Sequence, residues 1–323
     1  MKKLVLYMTE HLSKLMSAGQ LQCVERACLS SGYDFVSNFS DYSSFCKIKE
    51  PNVLLASEHC LAAALIVCQN FIPKSNFILF GSHKVQLQFE KFKDQLQDLR
   101  FVLGDPPISL LELILTHTLN FFKDNKQTES ISGYFTQENS FYLSCELRNS
   151  KEREDLRNKI SVFFKTQIEN NKDNLTTGAS VYAKNLADVL EEFLMNAIWD
   201  ANPKYVGEDR TKPVQLLENE KVNIFCLFDG INLILSVTDL FGSFSAKAIQ
   251  KYIQFSLGVK EEKTVHEGNG GAGIGLFMIL QKIGGLVFEV EKGKATRATA
   301  IVRGDQPLRE MQKRSRTLLF YEK

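Results

Sequence analysis

Short apolar runs alternating with longer, helix-patterned stretches through the first 122 residues constrain the fold of this chain more than any other feature. Leu4–Met8, Tyr33–Val36, Asn52–Ala56, Phe77–Phe80 and Phe101–Leu103 are each brief and rich in branched or aromatic side chains, the composition of buried strands. Helical patterning fills the gaps, most clearly at His59–Asn70, Lys84–Leu96 and Ile108–Phe122, the last led in by Asp105-Pro106-Pro107. Strands separated by helix-length connections pair in parallel through crossovers rather than as hairpins. Five such units predict a small doubly wound α/β domain over residues 1–123.

The pattern changes after that. Residues 124–140 lie in a polar stretch, KDNKQTESISGYFTQENS, with little apolar periodicity, which predicts a linker. Beyond it come a strand at Phe141–Leu147, a helix that Asn149 caps and that runs to about Glu169, and adjacent strands at Val222–Phe228 and Leu233–Thr238. Asp229-Gly230 between those strands suits a hairpin turn. A glycine-rich segment at 268–275 leads into another helix, and Gly284–Val290 and Thr296–Val302 read as closing strands. Residues 141–323 are therefore expected to form a second, α+β domain, and a length of 323 residues accommodates both.

Charge and cysteine usage narrow the function classes. With 39 basic and 38 acidic side chains the net charge is +1, so no overall field favours nucleic acid or an anionic bilayer. The longest apolar run, Cys60 to Cys68, is far short of the ~20 residues that cross a membrane. The apolar run at Leu4–Met8 is broken by Thr9, Glu10 and His11 before it reaches signal-peptide length. Seven cysteines at irregular spacings, without CxxC or zinc-ligand intervals, fit reduced thiols in a cytoplasm and give no metal site of their own.

Three features could carry chemistry. In the helix expected over Lys184–Asp200, Leu186, Val189, Leu190, Phe193, Leu194 and Ala197 define a buried face, while Asp188, Glu192, Asn196 and Asp200 form a file at i+4 intervals along its flank. A carboxylate and a carboxamide on one ridge can divide the work of phosphoryl transfer, the amide binding Mg²⁺ and the carboxylate orienting a nucleophile, although a solvated flank looks the same in sequence. Asp239 ends an apolar strand just before Gly242, where it could accept from a base amino group or simply cap a turn. Gly268-Asn269-Gly270-Gly271-Ala272-Gly273-Ile274-Gly275 enters a helix directly, as a phosphate cradle or a surface hinge would.

In this order and at these intervals the three resemble the GHKL ATPase superfamily. Glu192 to Ala197 looks like its N box, Val237 to Gly242 like its first glycine box, Gly271 to Leu276 like its second, and Gly293 to Thr296 like its last. The resemblance covers residues 140 to 323, and the strand and helix ahead of the N box are similar to the layout of the anti-sigma-factor serine kinases. It implies a Bergerat-type ATP-binding domain with Glu192 as base, Asn196 as Mg²⁺ ligand, Asp239 reading adenine with Gly242 and Thr296 nearby, Asp200 towards the ribose, and Gly271, Gly273 and Gly275 on the phosphates. The cofactors it implies are ATP and Mg²⁺. One departure stands in the first glycine box, where Phe241 and Ser243 occupy the two usual glycine positions. Between the two glycine boxes, a helix over Ala246–Phe255 and a charged lid from Lys260 to Glu267 are expected.

The first domain resembles a response-regulator receiver without its chemistry. Met8-Thr9-Glu10 replaces the acidic pair, Ser57 stands at the phosphoacceptor position, and Asp105-Pro106 replaces the usual Lys-Pro. Such a pseudo-receiver is expected to bind a partner protein or a second copy of the chain, with Glu10 and Glu58 as surface carboxylates. His117 reads as a packed or surface imidazole, and the basic cluster Arg309, Lys313, Arg314 and Arg316 as a solvated tail. The expected function is Mg²⁺-ATP-dependent phosphorylation of serine or threonine on a partner protein. The competing expectation is a non-catalytic, nucleotide-dependent partner switch or scaffold.

Overall fold

The computed structural model describes residues 4–40, 53–57, 77–80, 100–104, 106, 108–124, 130–135, 140–171, 175, 176, 178, 180–248, 274–313 and 316–323. The fold is mixed α/β, and it divides into two compact units. The first comprises 1–131, 246–261 and 317–319, and the second the remainder.

In the first unit, β1 (Leu4–Thr9), β2 (Tyr33–Phe39), β3 (Val53–Ser57), β4 (Phe77–Phe80) and β5 (Phe101–Leu103) form a sheet of order β2-β1-β3-β4-β5, parallel throughout. Every residue of β3, β4 and β5 is buried, which is why these strands read as unbroken apolar runs rather than alternating ones. β2 lies at the edge and mostly faces solvent. The observed strands overlap the expected ones within one to three residues. A short helix, α1 (Glu10–Leu15), follows β1 with no loop, Thr9 Oγ1 accepting from Leu12 N–H at 3.4 Å. α2 (Ala18–Ser31) opens on a Ser17/Gln20 capping box and closes on Gly32 at φ +74°, a left-handed position that glycine adopts without a Cβ clash. It packs on α3 (Ile108–Asp124), with Arg26 paired to Glu112 at 2.7 Å. The helices expected at His59–Asn70 and Lys84–Leu96 lie outside the described residues.

The second unit holds β6 (Phe141–Leu147), α4 (Arg153–Asn170), α5 (Ser180–Met195), β7 (Val222–Phe228), β8 (Asn232–Asp239), α6 (Ile274–Lys282), β9 (Gly285–Glu291), β10 (Ala295–Arg303) and α7 (Leu308–Lys313). Its strands run antiparallel in the order β9-β10-β8-β7-β6. α4 packs over β6 and β7, α5 over β8 and β10, and α6 beside α5. The core lies between helices and sheet. Ile160, Phe164, Leu186, Leu190 and Trp199 bury their side chains there, and Ser236 and Thr299 satisfy each other inside it at 2.9 Å. The β7–β8 hairpin turns as expected at Asp229-Gly230. Gly230 takes φ +99°, and Asp229 Oδ1 accepts from Ile231 N–H and Asn232 N–H.

Two features depart from the sequence reading. Asn149 caps a short 3₁₀ turn, Ser150–Glu152, before α4 begins. In the C-terminal basic cluster Arg309 and Lys313 are exposed as expected, Arg314 lies outside the described residues, and Arg316 is drawn into the structure. β11 (Thr317–Glu322) is almost wholly buried; its first residues pair antiparallel with β5 in the first unit, at Leu318↔Val102 and Leu319↔Phe101. Within the second unit Arg316 donates Nε–H to Leu280 O at 2.8 Å and a second N–H to Met311 O, closing the end of α6. Burial pushes its guanidinium pKa down. Among the described residues no helix is long and apolar enough to cross a membrane.

Candidate functional site

The file expected on α5 is present, but the helix does not stay regular along it. The apolar face is buried from Leu186 through Ala197, which fixes the flank that carries the polar residues. At Asn196–Asp200 the helix widens into a π turn, with Ala201 N–H donating to Asn196 O at 2.8 Å. A π turn holds one residue more than an α turn, so Asp200 swings off the ridge shared by Asp188, Glu192 and Asn196.

The four residues end up in different surroundings. Asp188 accepts from Arg157 Nη2 on one oxygen and from Lys282 Nζ on the other, each at 2.6 Å. Burial works to raise its pKa, but the two cations outweigh it and hold the carboxyl below its ordinary range. Asp200 Oδ1 accepts from Arg210 Nη2 at 2.5 Å, while Oδ2 is buried without a hydrogen bond. Burial raises the Asp200 pKa, with Arg210 opposing. Glu192 has no hydrogen bond to a described residue. Burial, and then the neighbouring Glu191, push its pKa up against the weaker pull of Arg210 and Lys282. Asn196 opens the π turn, and its side chain likewise bonds to no described residue.

Asp239 ends β8 in a buried position. Its Oδ1 accepts from Phe241 N–H at 2.9 Å and Gly242 N–H at 3.3 Å, so the turn-capping role foreseen for it is filled. Burial drives its pKa up to about 6, even though the N–H groups of Phe241, Gly242 and Thr296 favour the charged form. Thr296 stands directly opposite across the β8–β10 ladder. Its hydroxyl lies close enough to help lower that pKa, yet outside hydrogen-bond geometry, and it is buried with no partner. A raised carboxyl beside an orphaned hydroxyl suits a ligand edge that both donates and accepts, as an aminopurine does.

Gly242 has a second duty. At φ +59° it lies under the β9–β10 turn, where a Cβ would stand 2.1 Å from Glu291 O and 2.7 Å from the N atoms of Gly293 and Lys294. Its carbonyl also accepts from Gly293 N–H at 3.2 Å. This glycine serves close backbone packing. Two residues on, Phe244 stacks on Phe288 with centroids 4.1 Å apart.

Gly275 falls in the first turn of α6, whereas Gly271 and Gly273 lie outside the described residues, as do Lys260–Glu267 and all of the expected 246–255 helix after Ala248. His117 is fully buried on α3. No group of three or more His, Cys, Asp or Glu among the described residues is placed to hold a metal ion. An open cleft of about 250 Å³ is lined by Arg157 of α4, Asp188, Val189, Glu191 and Glu192 of α5, and Met278, Ile279 and Lys282 of α6.

Sequence reasoning missed the cations of this site. Arg157, Arg210 and Lys282 lie 31, 10 and 94 positions from the carboxylates they hold, so no local spacing marks them. No protein-family model matches the chain, and no curated protein matches it significantly.

Proposed function

We propose that the chain is a two-module signalling protein in which a receiver-like module is joined to a GHKL-type, Mg²⁺-ATP-binding module that phosphorylates serine or threonine on a partner protein. The observation that carries this reading is the Asp239–Thr296 pair, a buried carboxyl raised to about 6 that faces a buried hydroxyl with no hydrogen bond in good geometry to any described residue. The parallel order β2-β1-β3-β4-β5 supports the receiver-like reading, and the antiparallel sheet with α4, α5 and α6 packed on it supports the other.

Asp239 would accept from the amino group of an adenine while Thr296 meets a neighbouring ring nitrogen. Asn196, at the mouth of the π turn, offers an amide oxygen with no competing bond, which suits a Mg²⁺ ligand. ATP supplies the phosphoryl group, with Mg²⁺ balancing its charge. Glu192 pairs with no described residue and has a raised pKa, and would accept the proton of the attacking hydroxyl.

One observation favours a second reading, a nucleotide-dependent partner switch without turnover. Gly242, the one glycine of the first box, is occupied by the β9–β10 turn, and the two usual glycine positions carry Phe241 and Ser243. Calorimetric titration with Mg²⁺-ATP tests both. Binding that Asp239→Asn abolishes and Glu192→Gln retains is expected. Absence of binding at millimolar nucleotide would sink both readings, and binding without any phosphorylated partner would leave the switch.

A further inference from the structure

Around Glu192, carboxylates and cations are shared out unevenly. Glu191 is paired with Arg153 at 2.6 Å and Asp200 with Arg210 at 2.5 Å. Asp188 takes two cations, Arg157 and Lys282, one on each oxygen. Glu192 takes none. Yet Glu192 stands one helical turn from Asp188 on α5, and it lines the same cleft as Arg157 and Lys282. A lysine side chain is flexible enough to reach either acid, and one cation per carboxylate is the arrangement that simple Coulomb attraction favours.

We infer that Asp188 is a positioning residue: by holding Arg157 and Lys282 on its two oxygens it keeps both cations off Glu192 and leaves that carboxylate unpaired. The geometry explains why the grip holds. The two cations approach from opposite neighbours, Arg157 from α4 and Lys282 from the last turn of α6, so Asp188 sits at the junction of three helices. Asp188 and Lys282 are each about three-quarters buried, which strengthens their attraction relative to an exposed pair. Lys282 leaves for Glu192 only by leaving Asp188 with half its charge unanswered. The groups that face Glu192 are then Glu191, Arg210, Lys282 and Asp200, every one of them already engaged elsewhere.

The value of this arrangement rests on the proton-accepting role proposed for Glu192, because a salt-bridged carboxylate is a poor base. The arrangement itself is tested without nucleotide, by treating the full chain with a water-soluble carbodiimide and glycine ethyl ester and mapping the products by mass spectrometry. In the unsubstituted protein Glu192 takes the ester and forms no cross-link to Lys282. In Asp188→Asn, shown to be folded by circular dichroism, a Lys282–Glu192 amide appears and ester labelling of Glu192 falls by about threefold or more, the occupancy change that a modest ion pair produces. Adding Lys282→Met to Asp188→Asn restores the labelling, which a merely structural role for Asp188 does not predict.

A Lys282–Glu192 cross-link in the unsubstituted protein, or unchanged labelling in folded Asp188→Asn, overturns the inference. Should Asp188→Asn fail to fold, Lys282→Met alone decides. Unchanged labelling of Glu192 supports the inference, and a rise of about threefold shows that Lys282 was shielding Glu192 and overturns it. Failure to bind Mg²⁺-ATP would remove the proposed function and leave these labelling patterns as they are.

Discussion

The strand ends of the two units treat their polar side chains in opposite ways. In the first, the groups at the carboxyl ends of β1 and β3 engage one another. Thr9 caps α1, Glu10 pairs with Lys14 at 2.6 Å, and the buried Ser57 shares a 2.9 Å hydrogen bond with His11. In the second, several groups on β8, β10 and α5 are answered in part or by no described residue. Glu192 has no cation of its own, Asp239 is buried at raised pKa, and Thr296 Oγ1 and Asp200 Oδ2 have no hydrogen bond. A buried polar atom without a partner costs about 1–3 kcal/mol, and folding tolerates few of them. Where such atoms persist, as in the second unit, they are the first places to test for a ligand. Where they satisfy one another, the structure is the explanation.

Substitutions that separate packing from ligand chemistry can break this contrast. The largest effect is expected from Gly242→Ala. A Cβ there meets backbone atoms at 2.1 and 2.7 Å at a left-handed φ, so a loss of about 4 kcal/mol in urea denaturation of the second unit is expected. A loss below about 1 kcal/mol would mean that the β9–β10 turn yields easily and that this glycine serves something other than packing.

Next comes Asp239→Asn, which should stabilise the protein while abolishing nucleotide binding. Because the folded carboxyl is raised from 3.8 to about 6, its destabilising effect is absent below the unfolded value, grows as pH rises, and is complete above about 6. The neutral amide escapes it, so the variant should gain about 3 kcal/mol at pH 7.5 and almost nothing near pH 3.5. Equal stability at both pH values would show that the carboxylate is comfortably solvated in the folded state.

The two hydroxyls sharpen the contrast further. Ser57→Ala removes a satisfied hydrogen bond in the first unit, and is expected to lower stability by about 1 kcal/mol and leave Mg²⁺-ATP binding untouched. Thr296→Val removes a hydroxyl of similar burial with no hydrogen bond to a described residue, and is expected to raise stability by up to about 1 kcal/mol at about pH 4, where Asp239 is neutral, while weakening nucleotide binding. Thermal melts with and without nucleotide read both variants. Changes of the same sign would erase the distinction between the two strand ends.

How much of this was legible in the sequence follows from how local each determinant is. β6 and β7 coincide with the expected strands, and α3 begins at the expected residue. The apolar face of α5 is buried as its periodicity predicts. β11 was not foreseen. Leu318, Leu319, Phe320 and Tyr321 make too short a run, beside too basic a neighbourhood, to stand out, and Arg316 looked exposed because its acceptors lie on α6 and α7. The separation of Asp200 from its file was equally hidden, since the π turn at Asn196–Asp200 has no spacing signature.

By itself, then, the sequence determined which residues could form strands and helices, which face of α5 is buried, and that Asp188, Glu192 and Asn196 follow one another at i+4 intervals along its flank. These are properties of neighbours along the chain, set by the fixed periods of helix and strand. Only the tertiary structure decided which of those carboxylates is neutralised. Arg157, Lys282 and Arg210 arrive from distant elements, and a charge is worth little until packing removes water from around it. That is why Asp188 and Glu192, equivalent acids one turn apart in the sequence, end as a carboxylate clamped between two cations and a carboxylate with no ion pair among the described residues.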